Sequence, residues 1–272
     1  MGKQKMYSTF VKELLLEASE IAKQWSGRTT GRGKGADPAQ IVTEADLAIG
    51  GHLIDRIRSA YPGHGVIDEE RGLTAGDESL TWVIDPIDGT SNFAAGVPMY
   101  GIMIGLLKGA SPIAGGVMLP AFGEVYLAER GGGAFCNGRK ISVDRTAALS
   151  DSLVAYGMDG NRERPEATRF EATQLAEIAL RTRNVRMSNS AFDPMMVACG
   201  KYAACLNRTT RIWDNVAAQI IIEEAGGAYT AIDGRPLSYA LAPDRLEENY
   251  TYCAGSPSVH SELVSVLGGA WG

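Results

Sequence analysis

The segment from Trp82 to Phe93 reads Trp-Val-Ile-Asp-Pro-Ile-Asp-Gly-Thr-Ser-Asn-Phe, and it constrains the chain more than any other. An apolar, β-like run ends at Asp85, because Pro86 fixes its own φ and drives the preceding residue into an extended conformation. The turn brings Asp88 round to the same side, so that both carboxylates can meet the same ions. Ile87 is apolar, and its contribution to such a site is its main-chain carbonyl, a hard oxygen suited to Mg²⁺. Gly89, Thr90 and Ser91 stand at a predicted helix start, where free N–H groups and the helix dipole favour an anion. The pattern fits a metal and phosphate site. Taken alone it fits equally a turn in which Asp85 and Asp88 only cap a helix, since Asp and Gly are common turn formers.

Three further acidic sites shift that balance. Trp213-Asp214 precedes an apolar helical pattern that stops at Gly226-Gly227, which makes Asp214 both an N-cap and a metal-ligand candidate. Asp68-Glu69-Glu70 follows the apolar pair Val66-Ile67, and Thr43-Glu44-Ala45-Asp46 heads another helical stretch. Each alone reads as solvated charge; together they read as a constellation.

With these residues in place, the chain resembles the inositol monophosphatase family of Mg²⁺-dependent phosphatases. The superfamily also holds fructose-1,6-bisphosphatases and 3′-phosphoadenosine-5′-phosphate phosphatases. The resemblance runs in order through Thr43 to Asp46, Glu69-Glu70, Asp85 to Phe93, the glycine-rich Gly131 to Gly138, Trp213-Asp214 and Glu224 to Gly227. It departs locally at Asp68 and Val216. It implies a layered α/β/α/β/α sugar-phosphatase fold of mixed α/β (α+β) class. That fold is expected as one domain over residues 1–272, with subregions of about 1–145 and 146–272 and the metal site where the two halves meet.

The resemblance also implies roles. Glu69, Asp85, the carbonyl of Ile87, Asp88 and Asp214 would hold two or three Mg²⁺ ions. Asp46 and Thr90 would orient the attacking water, with Glu69 in the group that takes its proton, and the amides of Gly89 and Thr90 would hold the phosphate beside Ser91. The segment Asn189-Ser190-Ala191, together with Asn207, Asp88 and Asp214, would contact the substrate. Lys34, in the basic run from Arg28, would approach the site as a mobile lid. Lithium sensitivity and a homodimer are further expectations of the same kind. The expected chemistry is metal-assisted hydrolysis of a phosphate monoester. A phosphoenzyme is rejected, because Asp85-Pro86-Ile87-Asp88-Gly89-Thr90 has one residue too many between its acids for the usual Asp-x-Asp-Gly-Thr of aspartyl nucleophiles.

The substrate is the least constrained element. Inositol phosphatases commonly place Glu at the position of Asn207, and Asn supplies a donor and an acceptor but no charge. Loss of that match could cost a polyol that needs it a factor of about a hundred or more. Inositol 1-phosphate, fructose 1,6-bisphosphate, histidinol phosphate, other sugar phosphates and phosphoadenosine nucleotides therefore all stay open, and Arg208 and Arg211 could serve a second phosphate. A catalytically silent interaction module of the same fold is the alternative from another class.

Composition agrees with a small-molecule enzyme. At 272 residues, 45% hydrophobic and 21% charged, the chain is long enough to bury a sizeable core. A net charge of −6 argues against nucleic acid, whose backbone needs a basic face. Bound cations would invert the local sign for a small anionic substrate. No apolar run is long enough to span a bilayer and no signal-peptide pattern is present, so a cytoplasmic location without a membrane partner is expected. Cys136, Cys199, Cys205 and Cys253 show no metal or redox spacing and read as reduced and buried. His52, His64 and His260 are dispersed and read as structural.

Helical spacing places Phe10, Val11, Leu14, Leu15, Ala18, Ile21, Ala22 and Trp25 in the core, and likewise Leu47, Leu53, Ile54 and Ile57. Glycine-punctuated apolar runs between Tyr100 and Val143 predict antiparallel strands, with Trp82 to Ile84 among them. Beyond residue 146 strand and helix alternate. Helices are predicted at Glu166 to Leu180 and Pro194 to Cys199, with a last strand at Tyr250 to Ala254 before a helix opened by Ser256-Pro257.

Overall fold

The computed structural model describes residues 7–28, 32–33, 41–77, 79–145, 148–239, 241, 246 and 248–268. The elements run α1 (Tyr7–Trp25), β1 (Arg32–Gly33), β2 (Ile41–Val42), α2 (Glu44–Ala60), β3 (Gly65–Asp68), β4 (Gly72–Thr74), β5 (Leu80–Asp88), α3 (Thr90–Ala94), β6 (Gly101–Lys108), β7 (Ser111–Leu119), β8 (Glu124–Glu129), β9 (Gly133–Cys136) and β10 (Arg139–Lys140). They continue with β11 (Leu153–Gly157), α4 (Pro165–Ala179), β12 (Asn184–Arg186), α5 (Phe192–Ala198), β13 (Ala204–Thr210), α6 (Ile212–Glu224), β14 (Ala228–Thr230), β15 (Tyr250–Gly255) and α7 (Pro257–Gly268). Lys34 lies outside the described residues.

The glycine-punctuated runs form an eight-stranded sheet in the order β10-β9-β8-β7-β6-β5-β3-β4. Trp82 to Ile84 pair antiparallel with β6, as expected, but parallel with β3 on the other side, so the sheet is mixed. The second sheet has the order β12-β11-β13-β15-β14, with β11 parallel to both neighbours and β15 antiparallel.

Two adjacent glycines on β7 show how the layers stack. Side chains alternate across a strand, and a Cβ on Gly116 would come within 2.7 Å of Val11 and Leu15 on α1. A Cβ on Gly115 would stand 2.9 Å from Ile220 and 3.0 Å from the Cα of Ala217 on α6. The sheet thus has α1 and α2 on one face and α6 on the other. Helix α6, with α5 beside it, also packs on the five-stranded sheet, whose far side carries α4 and α7. The result is the α/β/α/β/α layering.

Helix α1 buries Val11, Leu14, Leu15, Ala18 and Ala22 as its spacing predicts. Leu47 departs from expectation: it is 48% exposed, on the outer face of α2, where its carbonyl accepts from Arg71. All four cysteines are free, but only Cys205 and Cys253 are buried; Cys136 and Cys199 are half-buried. The histidines have structural partners: Glu17 for His52, the Trp82 indole N–H for His64, and the Thr230 hydroxyl for His260. No helix among the described residues is long and apolar enough to cross a membrane.

Candidate metal centre

Strand β5 does not stop at Asp85. It continues to Asp88, and the expected turn at Pro86 is an irregularity in which the register with β6 shifts between Asp85 and Asp88. An irregularity of this kind re-aims side chains without ending the pairing. Asp85 is 1% exposed, and its Oδ1 has no hydrogen-bond partner.

Asp214 reaches the same place from α6. It is not the N-cap expected from sequence: the helix begins at Ile212, Arg211 is the cap, and Asp214 Oδ2 accepts the Arg211 N–H at 2.6 Å. One oxygen from each of Asp85, Asp88 and Asp214 lies within 4.8 Å of the others. Burial, then the charges of Glu69, Asp88 and Asp214, pushes the Asp85 carboxyl well up. Burial and Asp214 do the same to Asp88. Asp214 is pushed up to about 6, chiefly by burial. Three like charges this close resist ionising together. The cluster is all hard oxygen, and one of its atoms is unsatisfied. Both properties fit Mg²⁺.

The acid run after β3 sorts itself by direction. Asp68 is fully buried on the α2 side, where it accepts from Arg71 and from the Glu70 N–H. Glu69, anchored by its N–H to the Ile84 carbonyl, lines the cavity that holds the three aspartates.

Asp46 is the third residue of α2, and its Oδ2 accepts the Thr43 N–H in a capping box. Its Oδ1 lies 3.3 Å from Thr90 Oγ1, which is also 2.8 Å from the Ile87 carbonyl. A hydroxyl has one proton to donate, so Thr90 serves one acceptor at a time. Gly89 caps α3 at φ 83°, and a Cβ there would stand 2.8 Å from the Ser190 Cβ, so the turn needs glycine.

A cavity of about 970 Å³ opens over the acids. Its wall includes Glu69, Asp85, Ile87, Asp88, Gly89, Thr90, Ser91, Asn189, Ser190, Ala191, Asn207 and Asp214. Asp46 is off that wall; it is fully buried and reaches the site through Thr90. Arg208 and Arg211 also border the cavity.

The sequence model of the inositol monophosphatase family matches residues 3–267. The chain belongs to the inositol monophosphatase family. It is 29% identical to the Inositol-1-monophosphatase of Bacillus subtilis over 264 residues, 91% of this chain and 95% of that one. It is 30% identical to the Fructose-1,6-bisphosphatase/inositol-1-monophosphatase of Aquifex aeolicus, over 76% of this chain and 74% of that one. Among solved structures, the Thermotoga maritima IMPase superposes with a TM-score of 0.83 at 28% identity, covering 95% of each chain. As a member of this family the chain is a phosphoric monoester hydrolase.

Asp159, Glu163, Glu171 and Asp193 also line this cavity and escaped the sequence reading. Asp193, 4% exposed and first-turn in α5, accepts the N–H groups of Ser188 and Asn189 and so holds the loop whose Ala191 N–H donates to Asp88. Asp159 follows β11 and lines the same cavity. A signal for Asp159 was present: Met158-Asp159-Gly160 is a turn after an apolar strand, and ligands gather at the carboxyl ends of parallel strands.

Proposed function

We propose that the chain hydrolyses a small polyol or sugar phosphate, such as inositol 1-phosphate, with two or three Mg²⁺ ions. The reading rests on one observation above the others: Asp85, Asp88 and Asp214 converge, with an unsatisfied oxygen, beside the glycine-capped turn at Gly89 and Thr90. Asp85, Asp88, Asp214, Glu69 and the Ile87 carbonyl would hold the metal. When bound, Mg²⁺ supplies Lewis-acid stabilisation of the phosphoryl oxygens and a lowered pKa for the attacking water.

The chain's own groups do the rest. The N–H groups of Gly89 and Thr90, at the start of α3, hold the phosphate. Thr90 Oγ1, tied to Asp46, accepts from the water and fixes its direction, and Glu69 takes the proton as general base. Asp193 and the Asn189 to Ala191 loop bound the space for the alcohol. No side-chain nucleophile is required.

One observation favours a second reading. Arg162, Arg164, Arg208 and Arg211 border the cavity, and such a rim suits a sugar bisphosphate, the class named for the Aquifex relative.

Phosphate release by the purified protein, with and without Mg²⁺, tests both readings over a panel of inositol, fructose, histidinol, nucleotide and simple sugar phosphates. Metal-dependent release from a polyol monophosphate is the expected result. Preference for fructose 1,6-bisphosphate supports the second reading, and no release from any ester overturns the proposal.

A further inference from the structure

The alcohol end of the cavity is built around a carboxylate. Asp159 Oδ1 accepts from Asn189 Nδ2 at 2.8 Å, and its Oδ2 accepts from Thr209 Oγ1 at 2.8 Å. Asn189 Oδ1 in turn accepts from Asn207 Nδ2 at 3.0 Å, and Asn207 Oδ1 accepts the Thr209 N–H at 2.8 Å. The network joins three segments that are far apart in sequence. It closes because β11 and β13 run parallel with Gly157 opposite Asn207. A Cβ on Gly157 would stand 2.3 Å from Asn207 Nδ2 and 2.6 Å from Asn189 Oδ1, so glycine leaves the space that the two amides occupy.

An ionised carboxylate has about four acceptor sites, and Asp159 spends two of them on neutral protein donors. The remaining two lie on a residue of the cavity wall. Hydrogen-bond donors of a bound alcohol can fill them. We propose that Asp159 is a specificity-determining residue that accepts hydrogen bonds from hydroxyls of the substrate's alcohol, so that this phosphatase selects the monophosphate of an uncharged polyol over an ester bearing a second phosphate. The inference rests on the phosphatase reading above and names its substrate class.

Charge supports the choice. Asp159 acts electrostatically on both Asp214 and Glu171, which puts further negative charge at this end of the site. Glu171 is 7% exposed and lines the same cavity. Among the arginines of the rim, Arg208 has its guanidinium 5.4 Å over the Phe170 ring and offsets the buried Glu171. Asn207 holds the amide of Asn189, which holds Asp159, so the acceptor charge comes from β11 and the amide of Asn207 orients it.

The test compares wild type, Asp159→Asn and Asp159→Ala on inositol 1-phosphate and on p-nitrophenyl phosphate, which has no hydroxyl on its leaving group. The expected result is a fall of about tenfold to a hundredfold in the ratio of the two kcat/KM values, with the loss on the inositol ester appearing mainly in KM. Asp159→Asn keeps the shape and serves if Asp159→Ala does not fold. An equal loss on both esters marks a merely structural role and overturns the proposal, as does an unchanged ratio. Wild-type turnover of p-nitrophenyl phosphate and fructose 1,6-bisphosphate, with none of the inositol ester, overturns it while leaving the phosphatase reading intact. No turnover of any ester overturns that reading as well.

Discussion

Thr90 Oγ1 lies 3.3 Å from Oδ1 of Asp46, so the fully buried capping-box carboxylate of α2 reaches a hydroxyl at the lip of the cavity. The other oxygen of Asp46 is committed to Thr43. Replacing Thr90 by Val keeps the shape and removes the hydroxyl. The expected outcome is kcat lowered by about a hundredfold with KM little changed, read by steady-state phosphate release at saturating Mg²⁺.

Asp88→Asn removes one ligand charge from the triad without changing side-chain size. Turnover in Mg²⁺ should be abolished while circular dichroism matches wild type and Mn²⁺ binding by calorimetry weakens. Normal hydrolysis by this variant would show that Asp88 is not a ligand.

The raised carboxyl of Asp214 fixes a sign for pH dependence. Its folded pKa is about 6 against an ordinary 3.8, so the folded, metal-free protein holds a proton there that the unfolded chain has lost. Stability from this group is present below the ordinary value and is lost as pH rises through about 6. The Tm of chelated protein should therefore fall between about pH 4 and pH 7, and added Mg²⁺ should raise Tm more near pH 7 than near pH 4.5. A scan by differential fluorimetry checks both. A Tm gain from Mg²⁺ that is larger at the acidic end would contradict the assignment.

Lithium should inhibit in the millimolar range by competing for one of the cation positions. Unchanged phosphate release under those conditions would count against the lithium sensitivity expected from the resemblance.

Gly115→Ala forces a methyl against Ile220 and Ala217 on α6, with the Ile104 carbonyl 3.3 Å away. Overpacking of this kind costs about 1–3 kcal/mol. Thermal melts should show a Tm lowered by several degrees.

Much of the metal centre was legible because its residues follow one another along the chain. Asp85 to Thr90 form a single strand-to-helix passage, so their nearness follows from sequence, although the strand runs on through Pro86 where a turn was expected. Asp214 was legible as an acid at a helix start but not as its third residue, because the cap is the Arg211 backbone and Arg is an unusual residue there. Leu47 was misplaced because helical spacing gives a face but not how far the neighbouring layer covers it. Asp159 and Asp193 were missed for a different reason: each looks like an ordinary turn or first-turn acid. Their partners lie on segments brought near only by the parallel pairing of β11 and β13 and the docking of α5.

Helix α6 presents Asp214 to the cavity at its first turn and, along its length, fills the hollow left by Gly105 and Gly115 in the large sheet. The acid cluster is therefore clamped by the core itself, whereas the proposed alcohol end is made of the loops after β11 and β12 with Asn207 and Thr209 on β13. The loop after β12 touches the acid cluster through the Ala191 N–H on Asp88, so a lineage built on this scaffold could be retargeted from one alcohol to another by loop substitutions that keep that contact.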